Sequence, residues 1–480
     1  MSLAQHAAAG AKWSAVSVAG RHVVIVITSV ILARLLSPSD FGLVAMASVF
    51  IRFIELVRDI GTGAGIVQVD RPSNQLLSSV FWLNAALGVA AGTLLIVLAP
   101  VAAALFREPR LTAVLKVLAL SPLFGAFSVV HTSLLTRDFR FRRLAVVELS
   151  GVLVGGVVGI GLAVNGYAVW SLVWQSICTV VFVSAGTCVA SGWRPRFTFR
   201  LASVKPILGY SANLTGFNIL NYFVRYADNL LIGRYLGARD LGFYDLAYRL
   251  MLSPLQYVAT AFGRVLFPVY TRMRDDPRRL SDAYLKVASG IATIAFPIMF
   301  GLAGVADVFV DATFGPQWAP VAALLLILGP LGALQSITTS LSNIYLAVGR
   351  TDLLLRWGAG IGILIVTSFV VGLRWGVVGV ASAYAIVSCA VAYYQFKIPL
   401  SLVGLRVVAL AEAIGRPLVC SLFMLASVLL LKRALPAGLD SRMVLAVLVM
   451  SGMALYAVAT WVFNRESTTG LMAVFFSGWR

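Results

Sequence analysis

The residues in this chain that could do chemistry are charged and amide side chains recurring at helical spacing inside otherwise apolar segments. Ser48, Arg52, Glu55, Asp59 and Thr62 step by four, three, four and three residues. At about 100° per residue, that places them on one stripe of a helix. Ser14, Ser17, Arg21 and Thr28 make a similar stripe just before it. Some 200 residues later Asn218, Asn221, Tyr222, Arg225, Asp228 and Asn229 share a face, and Asp245, Arg249, Ser253, Gln256, Thr260 and Arg264 run along nearly the whole of the next segment. An ionisable group at mid-bilayer costs about 2.5–3.5 kcal/mol on insertion scales, so such groups face a cavity or a partner. Mutual pairing would join Arg52 to Glu55, Arg225 to Asp228 and Arg249 to Asp245 at helix-neighbour spacing. It leaves Arg21 and Arg264 without a local partner. A cationic cavity lined by Arg21, Arg52, Arg225, Arg249 and Arg264 accounts for all five, and each of them either touches a ligand or closes a salt bridge.

The elements that must position these residues follow from composition. Hydrophobic residues make up 60% of the chain and charged residues 12%, against roughly 45–50% and 25% in an average soluble domain. The class is therefore polytopic, helical and all-α. A hydrocarbon core about 30 Å thick needs about 20 apolar residues per helical span, and the pattern predicts fourteen spans, the stripes falling in those at 13–36, 41–65, 207–235 and 241–268. The run from Ser14 to Leu36 contains Arg21 and no early small-residue cleavage site, so it reads as a retained first span.

The segments ARLLSPSDFGL (Ala33 to Leu43) and GRYLGARDLGF (Gly233 to Phe243) align at an offset of 200 residues, sharing Arg34/Arg234, Leu36/Leu236, Asp40/Asp240 and Gly42/Gly242. A repeat of that period predicts two six-helix lobes, 1–200 and 201–400, followed by two further helices and a short tail in 401–480. Because six is even, the lobes share one orientation, a parallel pseudo-two-fold plan used by secondary transporters. Spans 1, 2, 7 and 8 then correspond in pairs and are expected to line a shared aqueous cavity. Span 5 carries Gly151, Gly155 and Gly159 at helix-packing spacing, with Glu148 as its one acid.

The formal net charge is +19. Its dense clusters are Arg137, Arg140, Arg142 and Arg143; Arg194, Arg196, Arg200 and Lys205; and Arg272, Arg274, Arg278 and Arg279. All three fall in even-numbered connections. The positive-inside rule thus places both termini in the cytoplasm and makes the charge an orientation signal and an anionic-lipid contact rather than a nucleic-acid surface. Cys178, Cys188, Cys389 and Cys420 lie in apolar segments without Cys-x-x-Cys spacing, so neither structural disulfides nor a metal site is expected. His22 and His131 read as structural. GTGAG at Gly61 to Gly65 lacks the strand-to-helix context of a phosphate loop and reads as close packing near a helix end. Trp170, Trp174 and Trp318 are expected at the membrane interfaces. No serine has a nearby His/Asp set, so no hydrolase constellation forms and no catalytic residue is expected.

The first hairpin, VILARLLSPSDFGLVAMASVFIRFIELVRDIGTGAGIVQ, resembles the N-terminal segment of bacterial polysaccharide-biosynthesis flippases, the Wzx-like branch of the MATE-related exporter superfamily. The resemblance covers essentially the whole chain, and its most specific piece is the hairpin with Arg34, Asp40, Phe41 and Gly42. It implies a carrier of the bacterial inner membrane that flips an undecaprenyl-pyrophosphate-linked oligosaccharide to the outer leaflet by alternating access. A diphosphate and sugar headgroup cannot cross hydrocarbon unaided, because its polar groups would lose their hydration. Arginine suits the diphosphate, its fixed fork of donors matching phosphate oxygens. On the same footing Glu55, Asp59 and Asp228 are expected to couple transport to sodium or protons, with no other cofactor, and a polysaccharide polymerase and a chain-length regulator are expected partners. A drug/cation antiporter of the same fold would carry an acid-rich cavity instead, and a polytopic glycopolymer polymerase or ligase would need a long outer loop that this chain lacks.

Overall fold

In the computed structural model the described residues are 3–58, 61–69, 72–200, 212–272, 276–436 and 438–463. Among them the chain is all helix and connection, without strands. In order the helices are α1 (Leu3–Leu35), α2 (Pro38–Arg58), α3 (Thr62–Gln68), α4 (Asn74–Phe106), α5 (Arg110–Leu118), α6 (Leu120–Arg137), α7 (Phe141–Val164) and α8 (Val169–Ser191). They continue with α9 (Ala212–Tyr235), α10 (Ala238–Arg272), α11 (Pro277–Gly304), α12 (Ala306–Thr313), α13 (Ala319–Thr338), α14 (Ser342–Val348), α15 (Thr351–Gly372), α16 (Gly376–Ser401), α17 (Val407–Ala434) and α18 (Ser441–Phe463).

Ten stretches among the described residues are long and apolar enough to cross a membrane, one of them the 50-residue Asp352–Ser401 that contains both α15 and α16. Helices α2, α9 and α10 are not among the ten. Helix α2 is interrupted by Arg52, Glu55 and Arg58, whereas the described side chains cover only 222–235 of α9 and 238–255 of α10. The expected fourteen crossings are reached only if these three are counted in and the long stretch is counted as two.

The chain divides into two compact units, Met1–Gly242 and Phe243–Arg480. Packing and sequence repeat thus divide the chain at different places: α9, the first helix of the second copy, packs on α2 in the first unit. In that unit α7 lies along α8 through its glycines. A Cβ on Gly155 would come 2.7 Å from the Gln175 carbonyl oxygen, and one on Gly159 would come 2.9 Å from Gln175 Cβ. The small-residue spacing therefore does bring two backbones together. In the second unit α11 packs against α13 and α17, and α17 against α18. The two C-terminal helices are tied in by Lys432, which binds both carboxylate oxygens of Asp307 at 2.5 Å, and by the Tyr456 hydroxyl, which donates to the Thr293 carbonyl at 2.8 Å. Burial alone would raise the Asp307 carboxyl, but the Lys432 bond and backbone amides outweigh it and hold the group below the usual carboxylate range.

Among the described residues, several bonds join connections separated by an even number of expected spans. Arg110 Nη2 donates to Ser39 Oγ at 3.3 Å. The segment after α8 lies on the start of α4, where the Arg196 and Arg200 amides donate to Ser78 and Ser79 hydroxyls at 3.1 and 3.0 Å. Ser281 Oγ donates to the Val403 carbonyl at 2.7 Å. Both ends of each pair can therefore lie on one side of a bilayer.

One local expectation is corrected and one agrees with the structure. Helix α2 does not run through to residue 65: it ends at Arg58, and α3 begins at Thr62 after Gly61, whose φ of 72° is the left-handed conformation that stops a helix. Trp318 is fully buried, its ring 6.0 Å from that of Phe243. His131 is buried between Phe81 and Trp193 with Nδ1 2.8 Å from Ser191 Oγ, in agreement with its structural reading.

Candidate functional site

The site residues are held by how α2 starts. Ser37 accepts from the Asp40 amide at 3.3 Å, while Asp40 Oδ2 accepts from the Ser37 amide at 3.0 Å and from its hydroxyl at 2.6 Å. This reciprocal box satisfies amides that a helix N-terminus leaves unpaired, and Pro38 at the first helical position has no amide to satisfy. In the second copy Gly237 stands where Ser37 does, with φ 89°. Asp240 then has no equivalent hydroxyl beside it, and burial pushes its carboxyl up, against the opposing pull of Arg239.

The two copies touch at their glycines. A Cβ on Gly42 would overlap the Ala238 carbonyl oxygen and lie 3.0 Å from the Gly242 amide nitrogen. A Cβ on Gly242 would in turn overlap the Pro38 carbonyl oxygen and lie 3.2 Å from the Gly42 nitrogen. Residue 42 meets 238 and residue 242 meets 38, a self-complementary contact of the kind a two-fold axis produces.

Along α2, the surface next to this contact is taken by α9. The Tyr222 hydroxyl donates to the Val49 carbonyl, and Tyr222 packs with Phe53 and Tyr226 at ring separations of 5.6 and 4.6 Å. Beyond this aromatic patch Arg52 is exposed, Glu55 is half-buried, and Arg58 donates from Nη1 to the Pro122 carbonyl at 2.8 Å. A Cβ on Gly125 would come 3.4 Å from that Nη1, so the glycine leaves the guanidinium its place. On α9, Arg225 is exposed, whereas Asp228 is buried and accepts from the Asn229 amide at 2.8 Å.

Of the sequence-predicted residues, the structure brings Arg52, Glu55, Arg225 and Asp228 onto two helices packed together. Pairing is selective. Arg249 does form its ion pair with Asp245, at 2.7 Å. Among the described residues Arg52 and Glu55 form none, although their spacing permits one. Arg21 is the correction: it has a partner after all, Glu148 of α7, at 3.2 Å, and Ser17 donates to the same oxygen at 3.2 Å. With Thr28 lying against Gly156, the α1 stripe is turned toward α7. Local spacing could not show this, because the partner lies 127 residues away, as the one acid in a glycine-rich helix. Arg58 was missed altogether, though it sits three residues after Glu55 at neighbour spacing. Asp59 and the Arg264 side chain lie outside the described residues.

Comparisons with known proteins agree with this architecture. The model of a family described as polysaccharide biosynthesis protein matches residues 31–323. The chain is 28% identical over 398 residues to the lipopolysaccharide biosynthesis protein WzxC of Escherichia coli, covering 81% of this chain and 79% of that one. It is 27% identical over 393 residues to the teichuronic acid biosynthesis protein TuaB of Bacillus subtilis, covering 81% of each. With the succinoglycan biosynthesis transport protein ExoT of Rhizobium meliloti it shares 32% identity over 316 residues, 65% of this chain and 64% of that one. Among solved structures, the lipid II flippase MurJ in an inward closed conformation superposes with a TM-score of 0.73 at 14% identity, over 95% of this chain and 99% of that one. At that identity the likeness is one of fold.

Proposed function

Because this chain belongs to the polysaccharide biosynthesis protein family, we propose that it is a multi-pass membrane carrier, not a catalyst, and that it flips a lipid-linked oligosaccharide during surface polysaccharide biosynthesis. The finer reading is an undecaprenyl-pyrophosphate carrier in the bacterial inner membrane, with fourteen spans and both termini in the cytoplasm. The observation that carries it is Arg52, an exposed guanidinium without an ion pair among the described residues, on a helix packed against the one that carries Arg225. A charge kept unpaired at membrane depth is costly unless a ligand uses it.

The remaining candidates take graded roles. Arg52 and Arg225 would receive the diphosphate, and Arg249 would exchange Asp245 for it, as Arg21 would exchange Glu148; Arg264 is proposed for the same role. Each exchange replaces one charge-assisted bond by another, so it carries little net cost. The prenyl tail would stay in lipid. Glu55, Asp59 and Asp228 are the proposed sites of sodium or proton coupling, and a polymerase and chain-length regulator the proposed partners. A drug/cation antiporter fits less well, because its cationic substrates would be repelled by these arginines.

Purified protein reconstituted in vesicles with a fluorescent prenyl-diphosphate-linked oligosaccharide tests the reading. Transfer of the headgroup to the opposite leaflet, faster than in empty vesicles, is expected. Transfer no faster than in empty vesicles, by protein whose fold is intact, would overturn it.

A further inference from the structure

Two connections of the first unit carry the same unusual pattern. Between α6 and α7 the chain reads RDFRFRR (Arg137 to Arg143), and after α8 it reads WRPRFTFR (Trp193 to Arg200). In both, arginines alternate with phenylalanines. The structure places the two together, since Arg143 Nη1 donates to the Ala190 carbonyl at 3.2 Å, just ahead of the second segment.

The second segment is an extended strap fixed by its backbone. Ser78 and Ser79 hold the amides of Arg196 and Arg200, the Trp82 indole donates to the Arg196 carbonyl at 2.9 Å, and the Trp193 indole donates to Asn74 Oδ1 at 3.3 Å. With the backbone so held, residues 196 to 200 present their side chains outward. Phe197 is 92% exposed and Phe199 53%, and Phe139 in the first segment is 46% exposed. The only acid in either segment is Asp138, 3.8 Å from Arg140. Trp13 lies beside the first segment, its ring 5.4 Å from the Arg142 guanidinium.

Arginine alone would serve orientation, and exposed phenylalanine alone would be a liability in water. A rigid backbone that presents both suits the boundary between headgroups and acyl chains, where aromatic rings settle and anionic phosphates lie within reach of guanidinium forks. We infer that these two connections form one docking surface for anionic phospholipid, with Arg194, Arg196 and Arg200 on the phosphates and Phe139, Phe197 and Phe199 in the boundary layer. None of these residues is a candidate transport residue, so the inference stands or falls apart from the transport reading.

Full-length protein, stripped of lipid and titrated with phosphatidylglycerol or phosphatidylcholine of equal chain length, tests it by native mass spectrometry. Wild type is expected to retain phosphatidylglycerol preferentially, and raising the ionic strength should erase the preference, because exposed charges are screened beyond about 3 Å at 1 M salt. Arg194→Gln/Arg196→Gln/Arg200→Gln is expected to weaken phosphatidylglycerol retention on the order of a hundredfold and leave phosphatidylcholine unchanged. Phe197→Ser/Phe199→Ser is expected to weaken both lipids alike. Equal retention of the two lipids by wild type would overturn the inference without any variant. So would a correctly folded arginine variant that keeps phosphatidylglycerol but loses an acidic protein partner, since the surface would then dock protein.

Discussion

Gly42 and Gly242 lie against each other, each occupying the space that a Cβ on the other would need and each abutting a carbonyl that belongs to the other's copy. The duplication visible in sequence is therefore also a physical contact, at which the starts of α2 and α10 approach at backbone distance. Tyr222 and Val49 then set how α9 lies along α2.

Gly42→Ala and Gly242→Ala should each destabilise the protein, by about 1–3 kcal/mol if the helices shift to relieve the overlap. Both substitutions open the same contact, so the double variant should cost less than the sum of the singles. Thermal unfolding in detergent measures all three, and strict additivity would show that the glycines do not share one contact.

On the connection between α4 and α5, the Arg110 bond holds the Glu108 carboxyl below its ordinary value of 4.5, with burial opposing. A carboxylate lowered on folding stabilises the fold above its unfolded value, and that contribution is lost as pH falls through the folded one. Glu108→Gln should therefore unfold earlier than wild type at pH 7, with the difference closing as pH falls below the ordinary value of 4.5 and through the lower folded one. A difference that persists undiminished at acid pH would assign the effect to packing.

Neutralising Arg52 together with Arg249 should abolish transport while leaving membrane insertion and expression intact. The measurement is headgroup transfer in vesicles beside quantitation of the protein. Wild-type flux in this double variant would remove the cationic-cavity proposal.

Arg21 and Glu148 can be separated by the same assay. If Arg21 exchanges its partner for the ligand, Arg21→Gln and Arg21→Gln/Glu148→Gln should lose transport to a similar degree. Recovery in the double variant would mean that Arg21 serves only to neutralise Glu148.

Proton or sodium coupling predicts that collapsing both gradients slows wild type, and that Glu55→Gln, Asp59→Asn or Asp228→Asn removes this sensitivity. Flux indifferent to the gradients in wild type would show that the three carboxylates only tune neighbouring arginines.

What the sequence determined by itself is the part governed by local periodicity and composition. The apolar runs specify helices because a bilayer offers the backbone no other partner. The repeat at Arg34/Arg234 indicates duplication, and the charged stripes single out α1, α2, α9 and α10, of which α2 carries too many charges for hydropathy alone to recover it. Ser37, Pro38 and Asp40 likewise announce the helix start they make. Tertiary structure decided what each charge meets. Arg249 took the neighbour that spacing offered, Arg52 did not, and Arg21 found Glu148 on a helix distant in sequence. It also decided that α9 packs in the unit formed by the first copy, and that Gly61 diverts Thr62 from the stripe. The physical reason is that helix spacing fixes which side chains share a face, whereas the partner of that face is set by close backbone approach between segments that spacing does not relate.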